Sequence, residues 1–345
     1  MPFWPEKIAP IVLALAWGAA LLQPAAGLAQ SPAGEDRPRT LTLYTALTAT
    51  TPQLALWAAI RQGWPEGYQW RVEYWKSLDD LRGLVLAGRG DLWLGSLDGF
   101  ARAAARGAPV SLVAVTGWKK FYFVAAPDGP EPKRPAGLEE LARTLAEKGR
   151  PLGVAPRNSP ALGLLAEMAR RGGPAFTPEP LEAGQLMLEI GRGDRNCGLL
   201  PEPLVSALLI KNPNLKIVAG LEEDFARRFG GPDGLPLVGL AVNQRLIEER
   251  PELVRSLTPA LEAGAAALAG RTGPDLAALL PEEVIEALGS EVLVRSLKHD
   301  LQRLRPAAGI SPEISAYLRL AAPDLYEGRS PDWQPSPNFI YRPAP

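Results

Sequence analysis

Strand and helix signals alternate along this chain in two successive blocks, and that alternation restricts its fold more than any other feature. The first block reads as strand 40–45, helix 52–62, strand 70–75, a helix opening at Ser77, strand 91–95, helix 98–106 and strand 110–115. Residues 70–75 alternate in the two-residue period of a half-buried strand. Residues 110–115 are almost wholly apolar, as parallel strands covered on both faces are. Pro52 suits a first helical turn, where its missing N–H goes unused. Ser77-Leu78-Asp79-Asp80 resembles a capping box, and Leu78, Leu81, Leu84 and Val85 fall on one face of the helix it opens. Helices of this length between strands imply a parallel α/β layout.

The second block repeats the alternation. Strands are expected at 152–155, 197–200 and 215–218, and helices at 160–171, 181–192 and 202–210. Two apolar segments, 121–126 and 235–242, read as crossings between the blocks. Beyond the second crossing the chain is chiefly helical. Leu253, Leu257, Leu261, Ala265 and Leu268 recur at helical spacing, and further helices are expected at 275–279, 282–288, 291–304 and 312–320. The proline-rich tail from Ser330, with Trp333, Phe339 and Tyr341, is expected to drape over a surface.

The N-terminus carries a second strong signal. Lys7 precedes an apolar stretch through Leu22, then Gln23-Pro24 and small residues ending Gly27-Leu28-Ala29. This is the layout of a secretory signal cleaved after Ala29, and the apolar run falls short of the roughly 20 residues of a spanning helix. A mature chain of roughly 315 residues exceeds what one core normally supports, so two domains are expected. Cys197, the only cysteine, cannot form an internal disulfide and reads as a buried small hydrophobe. The 37 basic residues nearly cancel the 38 acidic ones, which argues against a nucleic-acid partner. His299 is the only histidine and reads as a solvated surface residue; a His-dependent triad and a multi-histidine zinc site are therefore disfavoured. No metal or cofactor is expected.

Several segments resemble a known family. Residues 90–98 (Gly-Asp-Leu-Trp-Leu-Gly-Ser-Leu-Asp), followed by 108–115 beginning Ala-Pro-Val, are similar to nitrate/sulfonate/taurine-type solute-binding proteins of ABC transporters. Residues 152–159, the Leu200-Pro201-Glu202-Pro203 turn and the stretch 242–252 fit the same family in the same order. The resemblance implies a two-lobed type II periplasmic-binding fold, each lobe a mixed sheet flanked by helices, with a two-strand hinge. Lobe one would be 38–119 with 237–325, lobe two 120–236, and 326–345 a C-terminal tail. It also implies a monomeric periplasmic receptor that performs no chemistry. Such a receptor would capture a small anionic or zwitterionic organic solute and deliver it to a membrane ABC permease driven by a separate ATPase. The alternatives are an enzyme on the same fold, similar to thiamine-pyrimidine or menaquinone-pathway enzymes, and a periplasmic sensor subunit.

In open α/β sheets ligands sit beyond the carboxyl ends of strands, where helix N-termini present free N–H groups. The expected ligand-binding residues are therefore Thr48, Thr50, Thr51, Ser96, Asp98 and Trp118, beside Gly117, in the first lobe. In the second they are Arg157, Asn158, Ser159 and Glu202. The hydroxyl, amide and acidic residues are also good helix caps, a role that needs no ligand. Arg157 would favour an oxyanion, Asp98 and Glu202 a cationic group, and a zwitterion satisfies both. Trp57, Trp70, Trp75 and Trp93 are expected in core or surface packing.

Overall fold

The computed structural model describes residues 39–48, 50–125, 137–229, 234–299, 303–330 and 333–343. The expected export signal lies outside the described residues. So does the side chain of His299.

The chain begins with β1 (Arg39–Ala46), α1 (Leu54–Arg61), β2 (Tyr68–Trp75), α2 (Leu78–Leu86), β3 (Leu92–Ser96), α3 (Leu97–Ala104) and β4 (Val110–Gly117). It then crosses into β5 (Phe121–Ala125), α4 (Gly137–Glu147), β6 (Leu152–Val154), α5 (Ala161–Arg170) and β7 (Pro178–Pro180). The second body continues through α6 (Ala183–Arg192), β8 (Cys197–Pro201), α7 (Leu204–Lys211), β9 (Lys216–Gly220) and α8 (Leu221–Phe229). The return strand β10 (Val238–Asn243) leads to α9 (Gln244–Glu249), α10 (Pro251–Ala266), α11 (Gly273–Ala277) and α12 (Glu282–Leu288). The chain closes with α13 (Ser290–His299), β11 (Arg305–Pro306) and α14 (Ser311–Ala321).

Two sheets result, ordered β11-β4-β10-β3-β1-β2 and β7-β6-β8-β5-β9. Strand β1 pairs parallel with β2 and β3, and β6 pairs parallel with β7 and β8. The crossing strands break this pattern by entering each sheet between other strands, and the short edge strand β11 also runs antiparallel, to β4. β10 runs antiparallel between β3 and β4, and β5 antiparallel between β8 and β9. Each lobe is therefore a mixed sheet, because the two crossings run against the strands that flank them.

The crossings form a hinge of two hydrogen-bonded segments. Leu235 N–H donates to the Trp118 carbonyl at 2.8 Å, and Leu237 N–H to the Gly117 carbonyl at 2.9 Å. Gly234 sits at φ +91°, where a side chain is strained, and a Cβ there would stand 2.7 Å from the Trp118 carbonyl oxygen. Apolar packing reinforces the hinge. One continuous core runs from Trp93 and Phe100 through Trp118 and Phe121 to Leu164, Met168 and Tyr317. Helix α14 packs on both α3 and α5, close enough that a Cβ on Gly163 would approach the Ala321 carbonyl oxygen to 2.7 Å.

Helices α4 and α8 lie where no element is expected from sequence. Both bury apolar residues at helical spacing: Leu138, Leu141 and Leu145 in one, Leu221 and Phe225 in the other. Helix α13 is described as far as His299, and Leu304, where the helix is expected to end, is not helical and precedes β11. The tail is bound more firmly than a surface strap. Leu112 N–H donates to the Phe339 carbonyl, Tyr341 N–H donates to that of Leu112, and the Phe339 ring is fully buried. It thus covers part of the β4 edge that would otherwise stay unpaired.

Candidate functional site

The carboxyl ends of β1, β2 and β3 face those of β6 and β8 across a cavity of about 390 Å³. Its first-lobe wall includes Thr48, Trp75, Asp79 and Ser96, and its second-lobe wall Arg157, Ser159, Glu182 and Glu202. The hinge closes the back with Lys120 and Phe121. Much of the remaining lining is apolar, from residues such as Leu78, Leu94, Pro156, Pro201 and Leu204.

Each polar wall residue is held by local structure. Ser77 caps α2 by accepting the Asp80 N–H at 3.1 Å, which leaves Asp79 exposed at the rim. The Trp75 indole N–H donates to the Leu94 carbonyl at 3.1 Å, pinning the ring at the end of β2. Glu202 is almost fully buried, and its carboxylate accepts the Ser206 N–H at 3.1 Å and the Ser206 hydroxyl at 3.0 Å. It therefore restrains the first turn of α7, where negative charge is stabilising. Glu202 N–H in turn donates to the Lys120 carbonyl, tying that turn to the hinge.

Asn158 joins the two lobes. Its amide donates to Asp79 Oδ2 at 3.0 Å, and Arg82, itself paired with Asp79 at 2.8 Å, reaches toward the Asn158 carbonyl. Asn158 sits at φ +63°, a conformation that Asn adopts more readily than most residues. Replacing it with Gly keeps the backbone conformation and removes only the amide. An exposed contact to a charged partner contributes on the order of 1 kcal/mol, so Asn158→Gly is expected to favour the open form several-fold. Small-angle scattering would show this as a larger radius of gyration, and an unchanged curve would mean that the contact does not govern closure.

The expected site residues divide into two groups. Thr48, Ser96, Arg157, Ser159 and Glu202 line the cavity, and Asn158 bridges its rim. Thr50, Thr51, Asp98 and Trp118 do not line it. Thr50 is wholly buried beneath the turn after β1, and Thr51 borders a different cavity. Asp98 is buried in the first turn of α3, where desolvation raises its carboxyl pKa and Arg82, Arg102 and Ser96 partly oppose the rise. Trp118 is packed in the hinge core with the Arg303 guanidinium 4.9 Å above its ring.

Sequence reasoning missed Trp75, Lys120, Phe121, Asp79 and Glu182 as wall residues. Its type and period suit Trp75 to packing, yet it ends a strand, and strand ends are where a cleft gathers its residues. Lys120 and Phe121 belong to the crossing, whose place at the back of the cleft follows from tertiary topology.

No family model matches the chain, and no curated protein does. Solved structures do. An ABC transporter protein of Parabacteroides distasonis aligns with a TM-score of 0.67 at 18% identity, covering 88% of this chain and 99% of that one. The periplasmic aliphatic sulphonate-binding protein of Escherichia coli aligns at 0.64 and 16% identity, over 89% and 94% of the two chains. The periplasmic nitrate-binding protein of Synechocystis aligns at 0.60 and 11% identity, over 85% and 82%. The chain has the periplasmic binding protein fold. At these identities the likeness establishes the architecture of the lobes and hinge, while the character of the cleft must be read from this chain's own residues.

Proposed function

We propose that the protein is an exported solute-binding receptor that closes on a small anionic or zwitterionic organic molecule and delivers it to an ABC permease. The observation that carries this reading is the cavity of about 390 Å³ built from strand ends of both lobes and backed by a two-strand hinge. A ligand there touches both lobes, so its binding favours closure to the extent that it makes better contacts in the closed form.

The lining supports an organic rather than a bare inorganic ligand. Trp75, Phe121 and the neighbouring Leu and Pro side chains suit an apolar body. Lys76, Lys120 and Arg157 face Asp79, Glu182 and Glu202, a balanced set that suits a polar head carrying one or both signs. Binding without chemistry is the simpler role for these acids. Arg157 Nε donates to Glu182 at 3.2 Å, Asp79 is engaged by Arg82 and Asn158, and Glu202 by Ser206. A carboxylate already committed to holding structure is a poor general base. The resemblance of residues 90–98, 152–159 and 200–203 to sulfonate- and nitrate-type receptors, and the export signal read at 1–29, support the transport setting.

A thermal-shift screen of residues 30–345 against organic sulfonates, carboxylates, amino acids and nitrate tests the proposal. A ligand at a hundred times its Kd stabilises by about 2.7 kcal/mol, so an organic anion or zwitterion is expected to raise the melting temperature. Lys120→Gln should weaken that ligand at least tenfold. No shift across the panel, or a shift with nitrate alone, would overturn the proposal.

A further inference from the structure

A second cavity, of about 320 Å³, lies on the first lobe beside the hinge. Its wall comes from Thr51 and Pro52 ahead of α1, Thr116 at the end of β4, Arg271 just beyond α10, and Arg303. Pro52 also lines the main cleft, so the two spaces are neighbours. Their charge differs. The cleft sets three cations against three carboxylates, whereas this cavity has two guanidinium groups and no carboxylate in its lining.

The buried polar groups around it point the same way. Thr51 and Thr116 are each about nine-tenths buried or more, and neither hydroxyl has a hydrogen-bond partner among the described residues. The same holds for the indole N–H of Trp118, whose ring lies under Arg303 at 4.9 Å. A buried donor with no protein partner is uncommon, and its usual explanation is a bound water or ligand. Two such groups line this cavity, and the ring that carries the third lies under its Arg303. Hydroxyls, an indole N–H and guanidinium groups can all donate, and guanidinium pairs well with oxyanions.

We propose that this cavity is a second binding site, for a small oxyanion, held by Arg271 and Arg303 beside the hydroxyls of Thr51 and Thr116. The site is separate from the cleft and does not depend on the identity of the solute bound there. Arg303 rests on Trp118, and the Trp118 carbonyl accepts the Leu235 N–H of the returning crossing. An anion held by Arg303 therefore sits one residue away from the hinge.

Titration calorimetry with sodium sulfate and sodium phosphate, at constant ionic strength set by sodium chloride, tests the proposal. The protein is expected to bind one of these anions saturably. The double variant Arg271→Gln/Arg303→Gln should lose at least tenfold in affinity, and Arg157→Gln in the main cleft should leave it unchanged. Loss of Arg303 can loosen the packing on Trp118, so Arg271→Gln alone provides a second measure. That guanidinium is exposed, and its removal should weaken the anion several-fold without lowering the melting temperature of the anion-free protein. Absence of saturable binding, affinity unchanged in either arginine variant, or affinity that falls with Arg157→Gln would overturn the assignment.

Discussion

Gly264→Ala is expected to destabilise the protein by about 3 kcal/mol, the upper range of overpacking effects. Considered as a helix position alone, the same change should stabilise by about 1 kcal/mol, because Ala loses less backbone freedom than Gly on folding. Packing reverses the sign. Gly264 is buried on α10 against α1, and a Cβ there would stand 2.2 Å from the Ala55 carbonyl oxygen and 3.0 Å from the Ala59 nitrogen. Both are backbone atoms, so no side-chain rotation relieves the clash and the helices must separate. Leu54, Leu56 and Leu261, buried in the core these helices cover, would lose contact as they do. Urea unfolding of the purified variant measures the effect. A Gly264→Ala protein as stable as the parent would show that α1 and α10 shift apart freely.

Glu222→Ala is expected to remove about 2–6 kcal/mol, since one buried and one half-buried donor lose their acceptor at about 1–3 kcal/mol each. Glu222 opens α8 and is almost fully buried. Its carboxylate accepts the N–H groups of Lys120 and Phe121 at 3.1 Å each, so an acid of the second lobe holds the backbone of the first crossing. Glu222→Gln keeps an acceptor oxygen and should lose less than half as much. Hydrogen exchange at the Phe121 amide distinguishes this local role from general destabilisation. That amide should exchange at least tenfold faster in Glu222→Ala than amides of β1 do. Equal acceleration at both places would mean that the carboxylate serves overall stability rather than the hinge.

The core and its elements were largely legible from residue pattern. The two-residue period at 70–75 lies within β2, the apolar run at 110–115 within β4, and the spacing from Leu253 to Ala265 within α10. The cap read at Ser77 is present as a hydrogen bond. Helices α4 and α8 carried the same apolar spacing and could have been found by it. The cleft was harder to read. Thr48 reaches the cavity while Thr50 and Thr51, two and three positions later, do not, because successive residues in a turn point in different directions. Trp118 stands just ahead of the first crossing, and nothing local reveals that its ring turns inward beneath Arg303 while Phe121 turns toward the cavity.

Taken alone, the order of residues determined which segments become strand or helix and which face of each is apolar, since those properties depend on neighbours within a few positions. It also determined that two α/β blocks are linked by two crossings. Tertiary structure decided that each crossing enters the opposite sheet antiparallel, which side chains face the shared gap, and that acid-free donors gather in a separate cavity. Those outcomes depend on contacts between residues far apart in the chain, such as Trp118 with Arg303 or Asp79 with Asn158, and no local period encodes them.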